Sequence, residues 1–168
     1  MGFTLLSVIM FVVFTVLQSS FFSHFSLFGA IPNLVFIFFV LLLFHGKKFD
    51  AKQAFLAIFG GMCADFFSGV TLGTSSLIFL IIAFVVSKIS ESTLEKKWEK
   101  NIVFFLLFFS ILNVVYLALF DIFFAWQEKN ILMINFGKEF VFTIIYNLIL
   151  SIAGFYLYKN VQKLQNKK

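Results

Sequence analysis

Residues Phe55–Gly69 read Phe-Leu-Ala-Ile-Phe-Gly-Gly-Met-Cys-Ala-Asp-Phe-Phe-Ser-Gly. One acid, Asp65, stands in an otherwise apolar run, and the rest of the chain decides what surrounds it. The protein has 168 residues, of which 61% are hydrophobic, 12% are charged and 29 are Phe. A soluble domain is nearer half apolar and a quarter charged. The charges here are also segregated into short clusters between long apolar runs. That pattern predicts an all-α, polytopic membrane bundle with almost no soluble part. A carboxylate at such depth must meet a partner, take a proton or lie near an interface.

Six spans are expected. They run over about Thr4–Phe22, Phe28–Phe44, Ala51–Ser68, Leu72–Ile89, Ile102–Ala125 and Phe140–Tyr158, each near the roughly 17–25 residues that cross hydrocarbon. Pro32 falls near the start of the second, where its missing N–H costs least. The third is the least hydrophobic, and Gly60 and Gly61 at its centre leave it open to a break or tilt. Lysines fix the orientation. Lys47, Lys48 and Lys52 follow span 2, Lys88, Lys96, Lys97 and Lys100 follow span 4, and Lys159, Lys163, Lys167 and Lys168 end the chain. Only Lys129 and Lys138 fall on the other side. The positive-inside rule then puts both termini in the cytoplasm. Residues 1–168 read as a single integral membrane domain, with 159–168 a short basic cytoplasmic tail. In the loops, Ser92 or Thr93 is expected to cap a short interfacial helix carrying Trp98. The apolar patch Ile131–Ile134 is expected to lie on the bilayer or on a partner.

The residues offer little chemistry. Cys63 is alone, so no intrachain disulfide forms, and His24 and His45 lack the company a metal site needs. There is no glycine-rich phosphate loop and no His-Glu-x-x-His. No Ser-His-Asp set is evident. An intramembrane aspartyl protease would have only Asp65 and Asp121 to use, with no second motif beside either. The net charge of +5 sits in lysines that flank spans, which speaks for membrane topology rather than nucleic acid. No cofactor, metal or enzymatic activity is expected.

Small residues concentrate on span 3. Gly60, Ala64 and Ser68 recur every fourth position, as do Ala57, Gly61 and Asp65. Such spacing lets another helix approach closely. Gly69 and Gly73 then permit a tight turn near Asp65. Asp65 either forms an anchored polar site near the outer surface or pins this turn through backbone N–H groups. Asn33, after Pro32, is a second polar spot at similar depth, and Asn113, Tyr116, Asp121 and Asn147 dot spans 5 and 6.

Several of these pieces occur together in a known family. Ile31-Pro32-Asn33-Leu34, His45-Gly46-Lys47-Lys48, Gly60 to Gly69 and Leu72-Gly73 follow one another in order, and with them the chain resembles the rod shape-determining MreD family of bacterial inner-membrane proteins. The family more often has Asp after the proline, where this chain has Asn33. The resemblance implies a non-enzymatic member of the cell-elongation machinery. Its implied partners are an MreC-type membrane protein, the MreB cytoskeleton, and the glycosyltransferase and transpeptidase of lateral wall synthesis. It also implies a fold like the six-helix substrate-binding subunits of energy-coupling factor vitamin transporters. Pro32, Asn33, Gly61, Asp65, Gly69 and Gly73 match the family's recognisable positions, with a role in structure or in partner contact. Two functions follow: a membrane adaptor, whose contact face would be span 3, or a solute-binding transporter subunit, with a polar cavity around Asp65.

Overall fold

The structure, a computed structural model, describes residues 2–26, 29–45, 49–66, 68, 71–89, 101–127, 129 and 137–165. It is an all-α bundle. The helices are α1 (Gly2–Leu17), α2 (Leu34–His45), α3 (Ala51–Phe66), α4 (Thr74–Ile89), α5 (Ile102–Gln127) and α6 (Lys138–Gln165), with a π-helical turn, Gln18–Phe22, closing α1. Gly69, the expected cap at Ser92 or Thr93, Trp98 and the Ile131–Ile134 patch lie outside the described residues.

Among the described residues, three segments are long and apolar enough to cross a membrane: Thr4–Phe22, Ile102–Gln127 and Lys138–Leu157. Leu34–Phe44 and Thr74–Ile89 are apolar but shorter. The expectation of six full-length spans is thus met in part, and the reason is local. Helices α2, α3 and α4 have 12, 16 and 16 residues, or about 18–24 Å at 1.5 Å per residue, against a hydrocarbon core near 30 Å. Helix α2 starts at Leu34, two residues after Pro32, because Pro32 and Asn33 sit ahead of the first turn. Helix α3 ends at Phe66 and α4 begins at Thr74. Helix α3 itself is continuous through Gly60 and Gly61.

Helix α2 is the axis of the bundle. It is apolar on every side, and Val35, Phe36, Phe39 and Val40 are fully buried. Helices α1, α3, α4 and α6 pack on it, while α5 joins α4 and α6. Phe rings fill the interior: Phe39 stacks on Phe79 with centroids 4.2 Å apart, Phe36 on Tyr116 at 4.6 Å, and Phe105 on Phe155 at 4.7 Å. The outside is equally greasy. Ile58, Met62 and Phe66 on α3, Leu77, Ile81 and Phe84 on α4, and Leu107 and Ile111 on α5 all face outward. Apolar stripes of this extent are at home in lipid rather than water.

The tightest contact is between α3 and α4. A Cβ on Gly61 would fall 2.7 Å from the Ser75 carbonyl carbon and closer still to Ser76 N and Cα. Only a glycine lets the two backbones meet so nearly. Gly60, on the next face, lies under the Phe11 ring of α1, 2.7 Å from a virtual Cβ. The Ala57–Gly61–Asp65 face is therefore filled by α4 of the same chain, and Gly60 by α1. Ala57 and Ala64 are buried beside them, whereas Ser68 is exposed.

Candidate functional site: a polar knot where two helices begin

Helices α2 and α4 both begin inside the bundle, alongside α5, at the end that carries Trp126. Their first N–H groups have no intrahelical acceptor. Inside the bundle they are shielded from bulk water, so side chains must supply one. The two starts solve this differently.

At α4 the residue before the helix is Gly73, at φ +107°, a left-handed conformation that suits glycine. Glycine has no side chain with which to cap. Asp65, at the end of α3, caps from a distance. Its carboxylate accepts the Gly73 N–H at 2.7 Å and the Ser75 N–H at 2.9 Å, and the residue is 1% exposed. An anion against a helix N-terminus is favourable both as hydrogen-bond acceptor and as partner to the helix dipole. Close by, Ser76 Oγ donates to the Ile58 carbonyl at 2.9 Å, and Gln127 Nε2 donates to Thr74 Oγ1 at 2.9 Å. The first ties α4 to α3 and the second ties it to α5.

At α2, Asn33 is the cap. Its Oδ1 accepts the Phe36 N–H at 2.9 Å. Gln18, carried on the π-helical turn, accepts the Leu34 N–H at 2.9 Å. The Asn33 N–H goes to Asn147 Oδ1 of α6 at 2.7 Å. Pro32, buried just ahead, has no N–H to satisfy.

The two caps are joined. Asn33 Nδ2 donates to the Tyr116 hydroxyl at 3.1 Å, and that hydroxyl meets Ser75 Oγ at 3.3 Å. On the other side Asn147 Nδ2 donates to Asn113 Oδ1 at 3.0 Å, and Asn113 Nδ2 to the Ile144 carbonyl at 3.4 Å. One chain of contacts thus runs from α3 through α4, α5 and α2 to α6, with Gln18 bringing in the end of α1. Asn113, Asn147 and Ser75 are all fully buried. Buried polar groups fully paired in this way rigidify a core, since breaking any one strands its neighbours.

The chemistry of this arrangement is that of structure. The amides of Asn33, Asn113 and Asn147 each use both their oxygen and their nitrogen within the knot. Ser75 Oγ faces Tyr116, not a histidine, and His24 is engaged with the Ser20 carbonyl and Ser23 at the surface. Among the described residues no group of three His, Cys, Asp or Glu could hold a metal ion. Asp121 makes no contact with Asp65 in this set of bonds.

A family model described as rod shape-determining protein MreD matches residues 1–167. The chain belongs to the MreD family. No curated protein and no solved structure matches it. Membership makes this MreD-family chain a non-enzymatic membrane component of the rod-shape system. Of the positions expected to matter, Asn33, Asp65 and Gly73 meet in the knot or its caps, and Pro32 adjoins it. Ala57, Gly60, Gly61 and Ala64 form the packing beneath. Gln18 escaped sequence reading because it closes an apolar run with nothing local to mark it. Tyr116 and Asn147 were visible as polar residues in spans, but not as each other's neighbours.

Proposed function

We propose that this MreD-family chain is a rigid membrane adaptor of the cell-elongation complex. It holds an MreC-type membrane protein and, through it, works beside the MreB cytoskeleton and the glycosyltransferase and transpeptidase of wall synthesis. In this reading the chain is a single domain of six spans in the bacterial inner membrane, arranged like the substrate-binding subunits of energy-coupling factor transporters. Both termini, including the basic tail at 159–168, face the cytoplasm, and the Trp126 end faces outward. The lysine clusters support that orientation. Pro32, Asn33, Asp65, Gly69 and Gly73 then serve to build the outward end of the bundle, and Ala57, Gly60, Gly61 and Ala64 to pack it.

The observation that carries the proposal is the closure of the polar knot. Its amides, hydroxyls and carboxylate bond to one another and to helix starts. A solute-binding subunit needs polar groups converging on an open cavity, and these groups converge on each other. Detergent-solubilised protein, purified by a tag with the MreC-type partner co-expressed, should bring that partner down in fixed ratio. Recovery of an ATPase pair with a coupling subunit instead would replace the adaptor by a transporter.

A further inference from the structure

Asp121 is the acid that the knot leaves out. It lies on α5, five residues before Trp126, or about 7 Å deeper along a helix rising 1.5 Å per residue. Trp tends to mark the headgroup level, so Asp121 falls just inside the hydrocarbon boundary. Among the described residues it makes no hydrogen bond or ion pair. It is part-buried and sits toward the lipid-facing side of α5. That side is marked by Val103, Leu107, Ile111 and Val114, at 59%, 62%, 60% and 42% exposure, and by Ile122 at 50%. Ala118, part-buried, lies about one turn below it, whereas Ala125, one turn above, is buried within the bundle. One turn outward, Ala125, Trp126, Gln127 and Lys129 line an open, mostly apolar hollow of about 360 Å³.

Acids within spans are rare and almost always pair with something. Asp65 follows that rule with two N–H groups of its own chain. Asp121 has no such partner among the described residues and is only part-buried. We infer that Asp121 and the adjoining hollow form a docking surface for a helix of a membrane-anchored partner, one that presents a Lys or Arg at the outer end of its span. The cation meets the carboxylate, and an apolar side chain one turn further out enters the hollow beside Trp126. Ala118 leaves room on that side of α5 for the partner backbone to come close. Charge complementarity favours this occupant over an acidic or purely apolar helix, neither of which offers the carboxylate a counter-charge.

The inference rests on the adaptor reading and names its contact. The test is tag purification in detergent with the MreC-type partner co-expressed, using wild type, Asp121→Leu and Asp121→Lys. The expected result is at least tenfold lower recovery for Asp121→Lys, a smaller loss for Asp121→Leu, and heat stability of the tagged chain equal to wild type in both. Changing each Lys or Arg within five residues of the outer end of the partner's span to Glu should restore recovery with Asp121→Lys at one position. Recovery of both variants at the wild-type level overturns the docking surface and leaves the adaptor standing. So does lowered heat stability with unchanged recovery, which would make Asp121 a purely internal residue. Failure of the wild-type chain to recover the partner overturns the adaptor reading and this one with it.

Discussion

Replacing Gly61 by Ala should cost far more than one methyl group normally does. The new Cβ would press on Ser76 N and Cα and lie 2.7 Å from the Ser75 carbonyl carbon, against an ordinary contact of 3.4–4 Å. All three obstacles are backbone, so no rotamer change relieves them. Helices α3 and α4 must part by about 1 Å, and overpacking of that kind costs roughly 1–3 kcal/mol. The displacement does not stop there. Asp65 and Ser75 lie across the same interface, and their 2.9 Å bond, together with the 2.9 Å bond from Ser76 to Ile58, would stretch beyond useful length. A hydrogen bond to a charged group contributes about 1.5–3 kcal/mol and a neutral one about 1. The total is then about 3.5–7 kcal/mol. At roughly 2–4 °C per kcal/mol for a chain of this size, the midpoint should fall by about 10 °C or more. The measurement is the fraction remaining monodisperse on size-exclusion chromatography in detergent after graded heating. Gly60→Ala is the built-in comparison, since its Cβ meets the Phe11 ring, which can turn aside. It should lose only about 1–2 kcal/mol. Equal midpoints for the two variants would refute the argument that backbone contact, rather than glycine content, holds α3 on α4.

The same heating assay reads the remaining predictions. Asp65→Ala strands two N–H groups at the start of α4 and should cost about 3–5 kcal/mol, while Asp65→Asn, which keeps an accepting oxygen, should cost about half as much. Tyr116→Phe removes a hydroxyl that Asn33 and Ser75 both use but keeps the ring stacked on Phe36, so about 1–2 kcal/mol is expected. Asn147→Leu takes partners from the Asn33 N–H and the Asn113 oxygen at once and should cost about 2–4 kcal/mol, more than Tyr116→Phe. If Tyr116→Phe proved the more damaging of the two, the knot would hinge on α5 rather than on the start of α2.

Much of this protein is written along the chain. Long apolar runs and segregated lysines determine helices in lipid, because backbone groups there must be paired within the helix and charges must stay near headgroups. Pro32 followed by Asn33 marks a helix start, for one lacks an N–H and the other can cap. Even the Asp65–Ser75 bond is within reach of sequence, since ten residues and a glycine turn separate the two. What sequence could not decide is who stands opposite whom. Asn33 and Asn147 are 114 positions apart, and Asn33 and Tyr116 are 83. Their meeting depends on the rotation and depth of three helices, which are fixed by where Phe rings and glycine backbones pack. Spacing placed Gly61 on a close-contact face, but only the tertiary structure assigned that face to α4 of the same chain. The same packing gave every asparagine of the knot a partner and left Asp121 without one among the described residues, because pairing within a membrane is settled by which side chains arrive at the same height on adjoining helices.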